Sequence, residues 1–186
     1  MRRPLLLAAV LLLLSPSTFG NTPPPLGGGK TEVNFHGALR FTVAGQWRPG
    51  PEGTAFTAPF AVPDAKSKRP ELSVSGCYYK LRKAKDRKEV MGRFIDATSA
   101  RKNADGSYAS VSVKKGFSSN IHFWDYYVPT DEVSFLKLRV SLSYPKEAET
   151  IPAITGTIGM LDQSLKQASF GKDPAPKGME RCITDP

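Results

Sequence analysis

Histidine is almost missing from this chain. His36 and His122 are the only two in 186 residues, they lie far apart, and with just two cysteines, Cys77 and Cys182, no ligand-type spacing announces a metal site. A zinc centre would have to be assembled wholly from tertiary contacts, so neither a metal nor a cofactor is expected. The G-x-S-x-G turn that presents a serine nucleophile is absent as well. Two S-x-x-K matches, Ser112 to Lys115 and Ser134 to Lys137, fall in segments that read as strands, where residues three apart face opposite ways and cannot touch. Gly29, Lys30 and Thr31 imitate the end of a phosphate-binding loop, but Pro24 stands where that motif needs glycine. Long apolar runs are lacking too. The run from Leu5 to Leu14 is about half the ~20 residues that cross a bilayer as a helix, and no transmembrane segment is expected.

What is present begins with MRRPLLLAAVLLLLSPSTFG, two arginines, an apolar stretch and a small-residue region in which Thr18 and Gly20 suit signal-peptidase cleavage. The reading is a signal peptide over residues 1–20, a proline- and glycine-rich linker over 21–31, a single α+β domain over 32–170 and a C-terminal tail over 171–186. Export to the periplasm or the exterior follows. In such an oxidising compartment an even pair of cysteines tends to be bridged, which predicts a Cys77–Cys182 disulfide. The chain carries 26 basic and 17 acidic residues, and removing Arg2 and Arg3 leaves 24 against 17, a charge of +7. Outside the cytoplasm that favours an acidic protein partner or an anionic envelope surface over nucleic acid.

Along the chain, Leu39, Phe41 and Val43 alternate with Arg40, Thr42 and Ala44, and the turn from Gly45 to Gly53 leads to a second strand. ELSVSGCYYK points Leu72, Val74 and Tyr78 one way and Ser73, Ser75 and Cys77 the other, so a tail crossing the polar face could reach Cys77. Asp86 and Glu89 have capping-box spacing ahead of Val90, Met91, Phe94 and Ile95, an amphipathic helix ended by Asn103 and Gly106. Three strands follow, the first with Ala109, Val111 and Val113 inward, the last with Leu136, Leu138, Val140 and Leu142 opposite Lys137, Arg139, Ser141 and Ser143. A closing helix carries Ile154, Ile158, Leu161, Leu165 and Ala168, with Gly171 placed to stop it. The order predicts an antiparallel β-sheet packed by two main helices. The tail should be disordered unless the disulfide pins it.

Two stretches are candidates for function. KLRKAKDRK sets Lys80, Arg82, Lys83, Lys85, Arg87 and Lys88 against one acid at a strand-to-helix junction, either a solvated loop or a patch steering an acidic partner. Arg87 and Lys88 sit at a helix N-terminus, where positive charge is mildly unfavourable, which speaks for use. HFWDYYVP places His122, Trp124 and Tyr126 on one strand face and Phe123, Asp125 and Tyr127 on the other. Either both faces are covered, with the rings filling core, or one face lines a surface on which Trp124, Tyr126 and His122 meet a partner.

Three segments resemble the Mog1/PsbP-like fold, including the bacterial DcrB-related proteins: FTVAGQW from Phe41 to Trp47, LRVSLSYP from Leu138 to Pro145, and GMLDQSLKQASF from Gly159 to Phe170. The resemblance implies a scaffold that is predominantly non-catalytic and works through protein contacts. The function expected is that of a non-enzymatic, exported binding or accessory protein of the bacterial envelope, one concrete form being an immunity protein that neutralises an envelope-acting toxin. The alternative is a hydrolase of envelope polymers with dispersed site residues, for which a cleft joining His122 with Asp125 or Asp131 would be the sign.

Overall fold

Leu136, Leu138, Val140 and Leu142 form one wholly buried row, and the strand that carries them is the middle of a seven-stranded sheet. The computed structural model describes residues 28–62 and 68–183, so the expected signal peptide and most of the linker lie outside the described residues. In chain order the elements are β1 (Lys30–Phe35), β2 (Leu39–Ala44), β3 (Arg48–Pro49), β4 (Ala55–Thr57), β5 (Glu71–Lys80), α1 (Ala84–Thr98), β6 (Arg101–Lys102), β7 (Tyr108–Lys115), β8 (Ser119–Pro129), β9 (Ser134–Pro145), α2 (Pro152–Lys166) and β10 (Ser169–Phe170). The large sheet runs β3-β4-β5-β9-β8-β7-β6 and a small one runs β1-β2-β10, with antiparallel pairing throughout. This is an α+β fold, two main helices on antiparallel sheets.

The strands on either side of the Gly45–Gly53 turn are both present, but they belong to different sheets. The turn carries the chain from one layer to the other, and it is fixed locally. Gly45 has φ 92°, a left-handed value that suits glycine. Trp47 donates its backbone N–H to Thr31 Oγ1 (2.9 Å) and its indole N–H to Ala44 O (3.0 Å), while the Thr31 hydroxyl donates to Gly45 O (2.8 Å). Thr31 belongs to β1, a strand that begins inside the segment read as linker. Its alternation of buried Val33 and Phe35 with exposed Glu32 and Asn34 is that of a half-buried strand.

The large sheet is covered differently on its two faces. On one, Leu72, Val74, Trp124, Tyr126 and the β9 row pack against the small sheet (Leu39, Phe41, Val43) and the α2 stripe Ile154, Leu161 and Leu165. Gly76 of β5 allows the close approach there, since a Cβ would meet Leu138 Cδ2 and Lys137 O at 2.8 Å. On the other, a smaller cluster of Tyr79, Met91, Tyr127 and Phe135 lies under α1, with Cys182. Tyr79 stacks on Phe135 (4.6 Å between ring centroids) and Phe94 on Tyr127 (5.7 Å).

The disulfide forms as expected, with the Cα atoms of Cys77 and Cys182 5.1 Å apart at a sequence separation of 105. For a loop of that length the chain-entropy model assigns about 4 to 5 kcal/mol. The tail does not cross the sheet face, however. It runs along the outer edge of β5, where Tyr78 N–H donates to Glu180 O (3.0 Å) and Cys182 N–H to Tyr78 O (2.8 Å) in a parallel bridge. It reaches that edge because β4 pairs with Glu71 to Ser73, Thr54 O accepts from Val74 N–H (2.7 Å), and β4 extends no further along β5. Met179 of the tail joins the larger core.

Four further expectations are corrected. Helix α1 starts at Ala84, with Lys83 at the N-cap and no side-chain cap, so Asp86 and Glu89 form no capping box; Glu89 instead accepts from Arg93 (2.6 Å). It stops at Thr98, where Ser99 takes a left-handed conformation, well before Asn103. Helix α2 ends at Lys166 rather than near Gly171, because Ser169 and Phe170 pair with β2. And Val111 and Val113 of β7, read as inward, are 57% and 45% exposed.

Candidate partner-binding surface

The basic run begins where β5 ends. Leu81 donates its N–H to Val133 O (2.9 Å), which anchors the turn, and α1 starts three residues later without a side-chain cap. Lys80, Arg82, Lys83, Lys85 and Lys88 are exposed and Arg87 is half-buried. Among the described residues none of Arg82, Lys83, Lys85, Arg87 and Lys88 has a carboxylate within ion-pair distance. Lys80 is the exception in its surroundings, since its charge acts on Asp131. Burial raises the pKa of that carboxyl, but hydrogen bonds from Val133 and Ser134, helped by Lys80, bring it below the usual value.

Two cations that sequence reasoning missed join this face. Arg181 donates from Nη2 to Lys80 O (2.9 Å), and what holds it there is the neighbouring Cys182 bridge. The signal was available: a disulfide between Cys77 and Cys182 must bring the residue before Cys182 to within a few residues of Lys80. Lys102 of β6 is the other. With Arg87, Lys88, Met91 and Tyr108 it lines a shallow concavity of about 510 Å³. Arg87 Nε faces no hydrogen-bond acceptor there although the atom is shut off from solvent. A buried guanidinium N–H left without a partner costs free energy.

His122, Trp124 and Tyr126 do not belong to this surface. They point to the α2 face of the sheet, whereas the junction and α1 serve the other face. Trp124 is 2% exposed and donates its indole N–H to Asp162 Oδ1 of α2 (2.6 Å). Tyr126 donates to Leu165 O (3.5 Å), packs against Phe170, and burial holds its phenol far above the ordinary range. Both rings are buried in the core beneath α2. His122 is half-buried and stacks on Trp124 (4.4 Å between centroids). Burial lowers its pKa, partly offset by the charge of Asp162.

The cleft expected of a hydrolase is not formed by these residues. Asp125 lies on the opposite face from His122, where Arg139 grips both carboxylate oxygens (2.6 and 3.1 Å), and Asp131 stands in the loop before β9. The Asp125 hydrogen bond raises the Arg139 pKa further. Among the described residues no three His, Cys, Asp or Glu side chains are grouped as metal ligands would be, and no helix is long and apolar enough to cross a membrane.

No protein-family model matches the chain and no curated protein matches it. Among solved structures it is similar to the crystal structure of the Saccharomyces cerevisiae Ran-binding protein Mog1p, at 10% identity over 77% of this chain and 96% of that one, with a TM-score of 0.44.

Proposed function

We propose that this chain is a non-enzymatic, exported binding protein that docks an acidic protein partner on the basic junction. The observation that carries the reading is the set Arg82, Lys83, Lys85, Arg87 and Lys88, cations with no carboxylate in ion-pair reach among the described residues, continuous with a concavity lined by Arg87, Lys88 and Lys102. Charges that fold stability does not use are available for a partner, and a positive field raises the rate at which acidic surfaces arrive. A disulfide that closes most of the domain suits the oxidising envelope or exterior, in keeping with the sequence of the first twenty residues. An immunity protein held against an acidic, envelope-acting toxin is the most concrete form of this role.

The test is charge reversal. The variant Arg82→Glu/Lys83→Glu/Lys85→Glu alters only exposed side chains, so its melting temperature should match that of the parent. Affinity capture from an envelope fraction, with bound proteins identified by mass spectrometry, should yield an acidic partner with the parent and lose it with the variant or at raised salt. Equal capture by both removes the junction from the binding site.

A further inference from the structure

The outer edge of β7 is open. Among the described residues β6 covers only Tyr108 and Ala109, leaving Ser110 to Lys115 without a neighbouring strand on that side. The register fixes which groups are free. Gly116 N–H donates to Ser119 O across the β7–β8 hairpin and Asn103 N–H to Ser107 O towards β6, so even-numbered residues of β7 address β8 and odd-numbered ones face outward. The backbone N–H and C=O of Val111 and Val113 therefore point away from the sheet with no strand to meet them.

The side chains of the same two residues are also uncovered. Among the described residues the exposed large apolar side chains are Val111, Val113, Phe117 and Ile183, and the first three share this hairpin, with Phe117 fully exposed at its tip. Val111 and Val113 lie on the α2 face, beside a groove of about 550 Å³ lined by Ala109, Val111, Trp124, Leu165 and Phe170. The other face of the edge is basic. Lys102 pairs with Tyr108 and Lys114 lies further along β7, both on the α1 side, and β7 contains no acid. Lys115 is already engaged by Glu149 (2.8 Å).

We propose that this edge receives an extended peptide segment of a partner protein as an added β-strand, apolar on the face that continues Val111 and Val113 and acidic on the face that meets Lys102 and Lys114. Strand addition draws affinity from the two free ladder positions and specificity from alternate side chains. Lysines at an exposed edge repel a second copy of this basic chain while admitting an acidic strand. The surface shares Lys102 with the concavity at Arg87 and Lys88 but uses none of Arg82, Lys83 and Lys85, and the proposal stands without those three.

The probe is a capped heptapeptide alternating valine and glutamate, titrated into the isotope-labelled protein and followed by amide exchange. Saturable binding should slow exchange at Val111 and Val113, and Val113→Pro should weaken it by about tenfold or more. Proline removes an outward N–H that β8 does not use and is tolerated at sheet edges, so the parent fold should persist. Should that variant fail to fold, the same peptide with proline at its central positions gives the matching control on the parent protein and should not bind. A peptide with lysine in place of glutamate should bind more weakly. Binding indifferent to both proline substitutions, protection mapped elsewhere, or no saturation overturns the proposal. So does a concentration-dependent dimer abolished by Val113→Pro, which would make a second copy the occupant. Arg82→Glu/Lys83→Glu/Lys85→Glu should leave peptide binding unchanged, so that failure of either reading is told apart from the other.

Discussion

β9 and β7 are written in the same alphabet and end in opposite environments. Both alternate apolar with polar residues, yet Leu136 to Leu142 of β9 are sealed while Val111 and Val113 of β7 stand open. The two strands are separated only by β8, and the row Leu136, Leu138, Val140 and Leu142, the β8 rings Trp124 and Tyr126, and Val111 and Val113 all lie on the same face. The difference lies in the cover. The small sheet and the α2 stripe sit over β5, β9 and β8, and none of the core residues they bury comes from β7 beyond the partly buried Ala109. Periodicity states which face is apolar; the extent of the covering layer decides which part of that face is core.

The sharpest way to break the contrast is to delete the same kind of group from each strand. Leu138→Ala should cost about 2 to 5 kcal/mol, since the side chain is wholly enclosed between sheets and leaves a cavity. Val111→Ala should change stability by less than about 0.5 kcal/mol, because its side chain already meets water. Chemical denaturation of both variants gives the comparison directly. A large loss at Val111 would mean that the edge is covered by something, for instance by association, and would redirect the reading of β7.

These two residues also mark what could be read from sequence. The extent of β9 was legible because long, uninterrupted alternation leaves little freedom, that of β8 because aromatic residues on both faces suit a covered strand, and the disulfide because the chain has one pair of cysteines. The exposure of Val111 was not, since it depends on where α2 lies, a tertiary fact. Helix ends were missed for related reasons. Ser169 and Phe170 leave the helical path because β2 offers them a ladder, and the start of α1 is set by the anchored turn at Leu81 rather than by Asp86. Of the candidate site, the basic run could be seen as a run, but Lys102 and Arg181 join it only through pairing and the disulfide. Trp124 and Tyr126 carried both meanings in sequence, and the helix above them chose core.

A smaller effect is expected on β8, between the two strands. Trp124→Phe keeps most of the ring volume but removes the indole N–H that meets Asp162 Oδ1 at 2.6 Å. A hydrogen bond to a charged group contributes about 1.5 to 3 kcal/mol, and the lower end applies where Asp162 stays within reach of water. Asp162 is only partly buried, so a loss of about 1 to 2 kcal/mol is expected in thermal or denaturant unfolding. If the loss approached that of Leu138→Ala, the polar tie to α2 rather than the apolar rows would be what holds the covering layer down. Adding Asp162→Asn to Trp124→Phe should then produce little further change, since the two changes remove one interaction.

The smallest effect comes from His122, which pairs in register with Val113 on one side and Leu142 on the other and so sits on the boundary between open and sealed sheet. Its Nε2 meets no hydrogen-bond partner among the described residues, and burial against Trp124 lowers its pKa, Asp162 offsetting part of the shift. A cation disfavoured in the fold makes the unfolded chain bind more protons between the ordinary histidine value of about 6.5 and the lower folded value. Stability should therefore fall as pH falls through that window, and the contribution is fully present only above it. His122→Gln should flatten the slope of unfolding free energy between about pH 7 and 5, a range in which most carboxylates stay charged. An unchanged slope would show that the imidazole reaches water as freely as the valines of β7, moving the boundary of the covered face one strand inward.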